Sequence, residues 1–438
     1  MIRTVALTGL ALLVLGACSD DPAQTLDATA GLDATGVDAK ADATVSRDAA
    51  AADADSVDAG APDAAAEDSG TPPIDAGSEA DAGTSDAGTS TSTWRRPSCA
   101  AVRGSSAVTF TFDEGRTLAG IPAPLVGTVY TFGLVTLDTP NTLLAVHADA
   151  VLTSTDSGCS WRSIGTVVAD YPPTLVAARG GRAYGYSDNR DTLFRVDGTT
   201  ITLLTSPTTN IKGLGVDPAN PDRVRIATDT GVVMESTTGG VGRFQTIGVE
   251  PFPGNGLVYQ VSFDPRNLDH VVAGAATEGA KWSLDGGRTW TAATVRTTTQ
   301  TADRGANIFS LKISPVSSDV VWIEGIDLGE NLANLPSEGR HIWRSVDGGR
   351  TFQAVIEKNA AVSLTNGILM APHPRDSNLL YFEFGTYFGG YGTDIFRYDG
   401  TSRTLTVNHN NYDDVGSIAF MPGDPAVMFF GLVNEDIR

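Results

Sequence analysis

Residues Ser283 to Trp290 read Ser-Leu-Asp-Gly-Gly-Arg-Thr-Trp, and nearly the same run returns from Ser345 to Phe352. A looser copy, Ser-Thr-Asp-Ser-Gly-Cys-Ser-Trp, spans Ser154 to Trp161. In each copy the Asp carboxylate can accept hydrogen bonds from backbone amides one to three residues ahead. The following Gly permits a backbone conformation that other residues disfavour, and the Thr or Ser can start a return strand. The run therefore predicts a hairpin turn.

Weaker copies of this turn fill the rest of the chain. They centre on Asp113, Asp197, Gly239 and Asp399, so that seven turns recur at intervals of 41 to 62 residues. Most are preceded by an apolar strand, an Asp-Pro or similar turn, and a second apolar strand. One unit is therefore predicted to hold four antiparallel strands, and a repeat of this length governs the whole fold.

The pattern Ser-x-Asp-x-Gly-x-(Thr/Ser)-aromatic resembles the Asp-box of the BNR/Asp-box β-propellers. The resemblance implies an all-β domain over residues 94–438 that forms a single β-propeller, and the seven turns imply seven four-stranded blades. The last unit stops without a box and the first unit, near Ala107–Ala119, lacks a preceding strand pair, so N- and C-terminal strands should share one closing blade. The box residues are predicted to be structural turn formers: Ser154, Asp156, Gly158, Trp161, Ser283, Asp285, Gly287, Trp290, Ser345, Asp347, Gly349 and Phe352.

The N-terminus is typical of an export signal. Arg3 precedes an apolar stretch, Val5–Leu15, that is too short to span a bilayer. Leu15-Gly16-Ala17-Cys18 resembles a bacterial lipobox, which implies removal of residues 1–17 and a lipid on Cys18; an ordinary signal peptide is the alternative. By the same resemblance, Ser19 favours the outer membrane. We expect an exported outer-membrane lipoprotein that contacts the membrane through this lipid, on its periplasmic or cell-surface side.

Residues 18–93 are predicted to form a disordered acidic linker. Between Asp20 and Ser92 the chain has 17 acidic and two basic residues, out of a net charge of −22, and it has no aromatic residue there. Such a segment cannot bury enough apolar surface to fold, and its random-coil span is roughly 50 Å. Residues 94–438 hold 35 acidic and 27 basic residues, so we expect no nucleic-acid partner.

The remaining cysteines, Cys99 and Cys159, are predicted to form a disulfide, since exported proteins keep such bonds. Two unrelated thiols are the alternative. With five His residues and no phosphate-binding loop or metal-ligand spacing, the sequence predicts no cofactor and no metal.

The box turns and the Asp-Pro turns should lie on one end of the ring, which leaves the longest loops, 324–340 and 383–391, on the other end. Aromatic and charged residues in these loops and in the links between blades suit a sugar- or peptide-binding cleft. The candidate catalytic carboxylates are Asp327, Glu330, Glu383, Asp413 and Asp414; the candidate binding residues are Tyr387, Tyr391, Arg304, Arg340 and Tyr412. Asn255, Tyr259, Asp303 and His409 are expected in the links.

Function has to be argued from the site, because the family that the boxes resemble includes sialidases, sortilin-type receptors and the photosystem II stability and assembly factor. We expect a monomeric, non-catalytic binding or scaffold propeller tethered in the cell envelope, with an envelope protein or a glycan as ligand on the face opposite the boxes. The alternative is a glycosidase that uses two carboxylates across a cleft. The Arg-Ile-Pro motif of sialidases does not occur in the chain.

Overall fold

A computed structural model of the chain describes residues 94–104, 107–121, 129–168, 173–187, 191–254, 257–297, 305–386, 392–410 and 414–434. Within these ranges nearly all regular structure is β-strand. The one short α-helix of the described residues, α1 (Leu328–Leu332), has five residues. None of the described residues forms a helix with the length and apolar character needed to cross a membrane.

The strands form seven sheets, which are the blades of a β-propeller. Two short strands come first, β1 (Val108–Thr111) and β2 (Val129–Tyr130). Blade 1 has β3 (Gly133–Thr136), β4 (Leu143–His147), β5 (Ala150–Ser154) and β6 (Arg162–Thr166). Blade 2 has β7 (Thr174–Ala178), β8 (Arg182–Tyr186), β9 (Leu193–Asp197) and β10 (Thr200–Leu203). Blade 3 has β11 (Gly213–Val216), β12 (Val224–Ala227), β13 (Val233–Ser236) and β14 (Gln245–Thr246).

The second half of the ring has longer strands. Blade 4 has β15 (Val258–Asp264), β16 (Asn267–Ala275), β17 (Gly279–Ser283) and β18 (Thr291–Ala292). Blade 5 has β20 (Ala306–Ser314), β21 (Ser317–Asp327), β22 (Arg340–Ser345) and β23 (Thr351–Glu357), and β19 (Thr294–Arg296) joins its outer edge. Blade 6 has β24 (Met370–Pro372), β25 (Leu379–Thr386), β26 (Gly392–Asp399) and β27 (Thr404–Asn410). Blade 7 begins with β28 (Asp414–Phe420) and β29 (Met428–Asn434).

Blade 7 closes the ring with strands from both ends of the chain, as the sequence predicts. The central strand β29 pairs antiparallel with β28 on one side, and with β1 and β2 on the other. After the turn at Asp113, the return chain makes one ladder bond, from the Ala119 amide to the Phe110 carbonyl at 2.9 Å. Pairing both termini into one sheet removes the open edges that an unclosed ring would expose.

Aromatic side chains fill the space between neighbouring blades. Trp322 of blade 5 is fully buried in one cluster with Phe382, Phe396 and Tyr398 of blade 6. The Trp322 and Tyr398 rings meet edge to face at 6.0 Å between centroids. Each fully buried side chain of this size contributes roughly 1.5–3 kcal/mol, so these clusters hold the blades together.

The box turns and the turns between the first and second strands lie on the same end of the ring, which we call the box face. In blade 4 the Gly286 amide donates to the Asp269 carbonyl at 2.9 Å, and in blade 5 the Gly348 amide donates to the Asp319 carbonyl at 2.8 Å. The same bond recurs in blades 1, 2, 3 and 6 as Ser157 to Asn141, Gly198 to Gly181, Gly239 to Asp222, and Gly400 to Asn378. The turns between second and third strands therefore lie on the other end, the loop face.

An N-terminal strap, Trp94–Arg103, joins blade 7 to blade 1 through bridges to Gly120 and Ser160. The Arg95 carbonyl accepts from the Ser157 hydroxyl at 2.6 Å, and the Val102 amide donates to the Gly120 carbonyl at 2.8 Å. Cys99 and Cys159 form a disulfide with their Cα atoms 5.7 Å apart. The strap thus crosses the junction at which the two ends of the chain meet.

Candidate functional site

The three strong boxes and the weaker copy at Asp113 share one hydrogen-bond pattern. In blade 4 the Ser283 hydroxyl donates to Asp285 Oδ1 at 2.8 Å and accepts from the Gly287 amide at 2.8 Å. The Thr289 amide and hydroxyl donate to the two oxygens of Asp285 at 2.9 and 2.6 Å. Burial acts to raise the pKa of Asp285, but these hydrogen bonds outweigh it and lower the pKa to about 2. The carboxylate is fully engaged in its own turn.

The other boxes repeat this arrangement around Asp113, Asp156 and Asp347. Their aromatic residues pack inward: Trp161 is 6% exposed and Phe352 is fully buried. The Trp290 indole donates to the Val249 carbonyl at 3.0 Å, which ties blade 4 to the link from blade 3. In these boxes each Asp carboxylate bonds to residues of its own turn, which leaves the loop face as the place for a site.

The structure corrects the boundaries that the sequence suggested for the long loops. Glu324 lies within β21 and Arg340 begins β22, so the loop of blade 5 comprises residues 328–339. Glu383 lies within β25 rather than in a loop, and Asp414 begins β28. Tyr259 and His409, expected in links, lie in β15 and β27. β21 pairs with β22, and β25 pairs with β26, over long antiparallel stretches. These strands therefore include polar residues that the sequence places in loops.

Several candidates lie outside the described residues. They are Cys18, Asn255, Asp303, Arg304, Tyr387, Tyr391, Tyr412 and Asp413.

The loop of blade 5 is fixed by Asp327 and Glu330. Asp327 caps α1, since its Oδ1 accepts the Glu330 amide at 3.0 Å. The Glu330 carboxylate lies 2.6 Å from His341 Nε2, and both side chains are 1% exposed. Glu330 therefore anchors the helix to β22 and is enclosed from solvent, whereas Asp327 stays partly exposed at the start of the loop.

Arg340 joins this loop to the next blade. Its guanidinium lies 3.3 Å from Glu338 and donates to Asn366 Oδ1 at 2.5 Å. Glu324, behind it, is fully buried; its Oε2 accepts the Gly367 amide at 3.0 Å, and burial raises its pKa to about 8. Glu324 is therefore mainly protonated at neutral pH.

Glu383 and Asp414 form a second carboxyl pair, at the junction of blades 6 and 7. Burial, together with the neighbouring Asp414 charge, raises the pKa of Glu383 well above its usual range. Burial also raises the pKa of Asp414, whose carboxylate sits directly over Gly385. The pair can hold one proton between its two members.

A pocket of about 540 Å³ opens on the loop face between blades 4 and 5. Of the sequence-predicted candidates, Asp327 lines it. Its other lining residues are Glu278, Gly279, Ala293, Thr294, Val295, Arg296, Thr297, Gly305 and Ala306. Within the described part of the chain, no group of three or more His, Cys, Asp or Glu residues is arranged to hold a metal ion.

No family model matches the chain. The sequence is 47% identical over 349 residues to the dispase autolysis-inducing protein of Streptomyces mobaraensis, and the alignment covers 80% of this chain and 92% of that protein. The chain belongs to the family of the dispase autolysis-inducing protein. This pairing is high in identity and covers nearly the whole relative, so the β-propeller described above is that of a member of this family.

Solved structures with a similar fold come from different proteins. The GH74 enzyme of Niastella koreensis is 18% identical, with a TM-score of 0.48 over 70% of this chain and 52% of that one. YCF48 from Cyanidioschyzon merolae is 15% identical, with a TM-score of 0.46 over 70% of this chain and 97% of that one. The chain spans about half the length of the GH74 enzymes it matches. Neither likeness bears on the function of this member of the dispase autolysis-inducing protein family.

Sequence reasoning missed the pocket residues of this family member apart from Asp327. Glu278 lies in a short turn and Arg296 in an edge strand, and neither stands out from the solvated residues around it. One signal was present, because the interval of 62 residues between the boxes of blades 4 and 5 contains the link at 293–305. The longest loops expected from the sequence, 324–340 and 383–391, do not include this link.

Proposed function

We propose that this protein is a non-catalytic, envelope-tethered propeller that binds a protease through its loop face and promotes self-cleavage of that protease. The observation that carries the proposal is the 47% identity to a protein named for inducing the autolysis of dispase. The expected lipid on Cys18 and the acidic linker would hold the propeller within reach of partners at the outer membrane.

Such an effect needs no catalytic residue in the propeller. A binder that prefers a partly opened protease raises the population of that form, and an opened form exposes more cleavable backbone. A tenfold preference raises a minor open population about tenfold. The loop face suits this role because the Asp327 and Glu330 loop and the walls of the pocket are fixed before any partner arrives.

The glycosidase alternative has less support. A pair of catalytic carboxylates must reach the sugar from both sides of a cleft. Glu330 is enclosed with His341, and the Glu383 pair lies between two packed blades. Of the two candidates at this helix, Asp327 at the N-cap of α1 is partly exposed and Glu330 within α1 is buried.

The test follows intact dispase over time by gel electrophoresis, with and without the purified propeller. We expect faster loss of intact dispase, with fragments that match those of dispase left alone. Serum albumin at equal mass is the control for a general protein effect. Unchanged dispase lifetimes would refute the proposal.

A glycan-hydrolysis screen of the same preparation tests the alternative. Hydrolysis by the wild type that is lost in Glu383→Gln or Asp327→Asn would establish a glycosidase and contradict the proposal of a non-catalytic protein.

A further inference from the structure

We propose that the pocket between blades 4 and 5 binds an extended peptide segment of the partner protease, which pairs with the edge of β19 that faces away from β23 and directs a Lys or Arg side chain toward Glu278 and Asp327. This inference rests on the proposed function, because it names where and how that partner is held.

The first support is the position of β19. It is the edge strand of the five-stranded sheet of blade 5 and pairs parallel with β23 through Thr294, Val295 and Arg296. The Thr294 amide donates to the Arg350 carbonyl at 2.9 Å. Because successive residues of a strand turn their backbone groups to opposite edges, the amide and carbonyl of Val295 face away from β23. Among the described strands, none pairs with that second edge.

The second support is that the strand forms part of the pocket wall. Residues 294–297 line the pocket together with Gly279 and Gly305, which have no side chain, and Ala306, which has only a methyl group, so backbone is within reach. A strand edge that lines a pocket is a site for strand addition, in which backbone hydrogen bonds give affinity and neighbouring pockets select side chains.

The walls are held in place by contacts between the two blades. The Thr277 amide donates to Asn307 Oδ1 at 2.8 Å, which fixes the turn that carries Glu278 against β20. Gly305 has a φ of 82°, and a Cβ on it would lie 2.1 Å from the Thr277 carbonyl oxygen. The Asp327 amide donates to the Gly339 carbonyl at 2.7 Å. A pocket with fixed walls loses little entropy when a peptide enters.

The third support is charge. Glu278 and Asp327 bring two carboxylates to the pocket and Arg296 brings one cation. One oxygen of Asp327 caps α1, which leaves the other for a ligand. A basic side chain of the peptide would balance this excess, and charge-assisted hydrogen bonds are the stronger kind.

The backbone part is tested with Val295→Pro, matched to Val295→Ala. Proline lacks the amide hydrogen that would meet the peptide, and the ladder to β23 is made by Thr294 and Arg296, so β19 should stay in place. Binding of a catalytically inactive dispase variant to the immobilised full chain is measured for each. We expect Val295→Pro to bind at least about tenfold more weakly than Val295→Ala, as the loss of about 1.4 kcal/mol would give. Equal melting temperatures confirm that both variants fold.

The charge part is tested with Glu278→Gln and Asp327→Asn, since Asn preserves the helix cap. We expect each to weaken binding about tenfold at low salt and less at high salt. This inference would be overturned if all three variants, Val295→Pro, Glu278→Gln and Asp327→Asn, bound as tightly as the wild type. The proposed function would still stand in that case. A wild type that binds no dispase would overturn the proposed function itself.

Discussion

At the scale of single residues, the pKa values of two carboxyl groups, those of Asp285 and Glu324, are shifted in opposite directions because their surroundings differ. Asp285 accepts hydrogen bonds from Thr289 and Ser283 in an exposed turn, and its pKa is lowered to about 2. Glu324 is fully buried with one oxygen, Oε1, that lacks a partner among the described residues, and its pKa is raised to about 8. Burial therefore decides the protonation of Glu324, because it outweighs the hydrogen bond from the Gly367 amide and the charge of Arg340, which both act to lower the pKa.

The raised pKa of Glu324 predicts a stability that falls as the pH rises. The unfolded chain loses this proton near pH 4.5, whereas the folded chain keeps it until about pH 8. The contribution to the free energy of unfolding is thus complete below pH 4.5 and is lost between pH 4.5 and 8. Glu324→Gln cannot titrate, so its free energy of unfolding relative to the wild type should rise across this window by a few kcal/mol.

Urea denaturation of the two proteins at pH 4.5, 6 and 8 measures this difference. Glu357→Gln, on the exposed part of β23, is the matched control and should follow the wild type. Parallel curves for Glu324→Gln and the wild type would contradict the assignment of a buried, protonated Glu324.

At the scale of elements, the strap Trp94–Arg103 secures the junction of blades 7 and 1. It adds bonds to the Gly120 carbonyl and to the blade 1 box, and its disulfide links residues 60 apart in sequence. Closing a loop of this length stabilises a folded protein by about 4 kcal/mol in the chain-entropy account.

We therefore expect Cys99→Ser to lower the free energy of unfolding by about 2–4 kcal/mol under oxidising conditions. The comparison is with the wild type under the same conditions, measured by urea denaturation. With a reductant present, the difference should largely vanish, because the wild type then lacks the bond as well. A variant as stable as the oxidised wild type would show that the strap is held by its other contacts alone.

At the scale of the whole molecule, stability should reside in residues 94–438. The sequence from Asp20 to Ser92 has 17 acidic residues and no aromatic residue, so it offers little apolar surface for the blades. A protein that begins at residue 94 should melt within about 2 °C of one that begins at residue 19, since surface changes away from packed groups usually alter stability by less than 0.5 kcal/mol. Scanning calorimetry checks this. A larger drop would mean that the acidic segment contacts the propeller.

Much of the fold was predictable because it repeats. The Asp-box turns at Asp156, Asp285 and Asp347 are local, since each carboxylate bonds to residues within four positions of it. Local hydrogen bonds are encoded in adjacent letters and recur with each blade. The seven blades and their shared closing sheet follow from counting those turns.

The site was less predictable because its contacts are distant in sequence. The sequence offers Glu330 and Glu383 as candidate catalytic groups. In the fold, Glu330 lies against His341, and β25 places Glu383 between two blades. The pocket unites Glu278, Arg296 and Asp327 only where blades 4 and 5 meet. The sequence by itself determined the repeated turn and hence the propeller, because each turn closes on its own neighbours. The tertiary structure alone decided which carboxylates are buried and which line a pocket, because that depends on packing between blades.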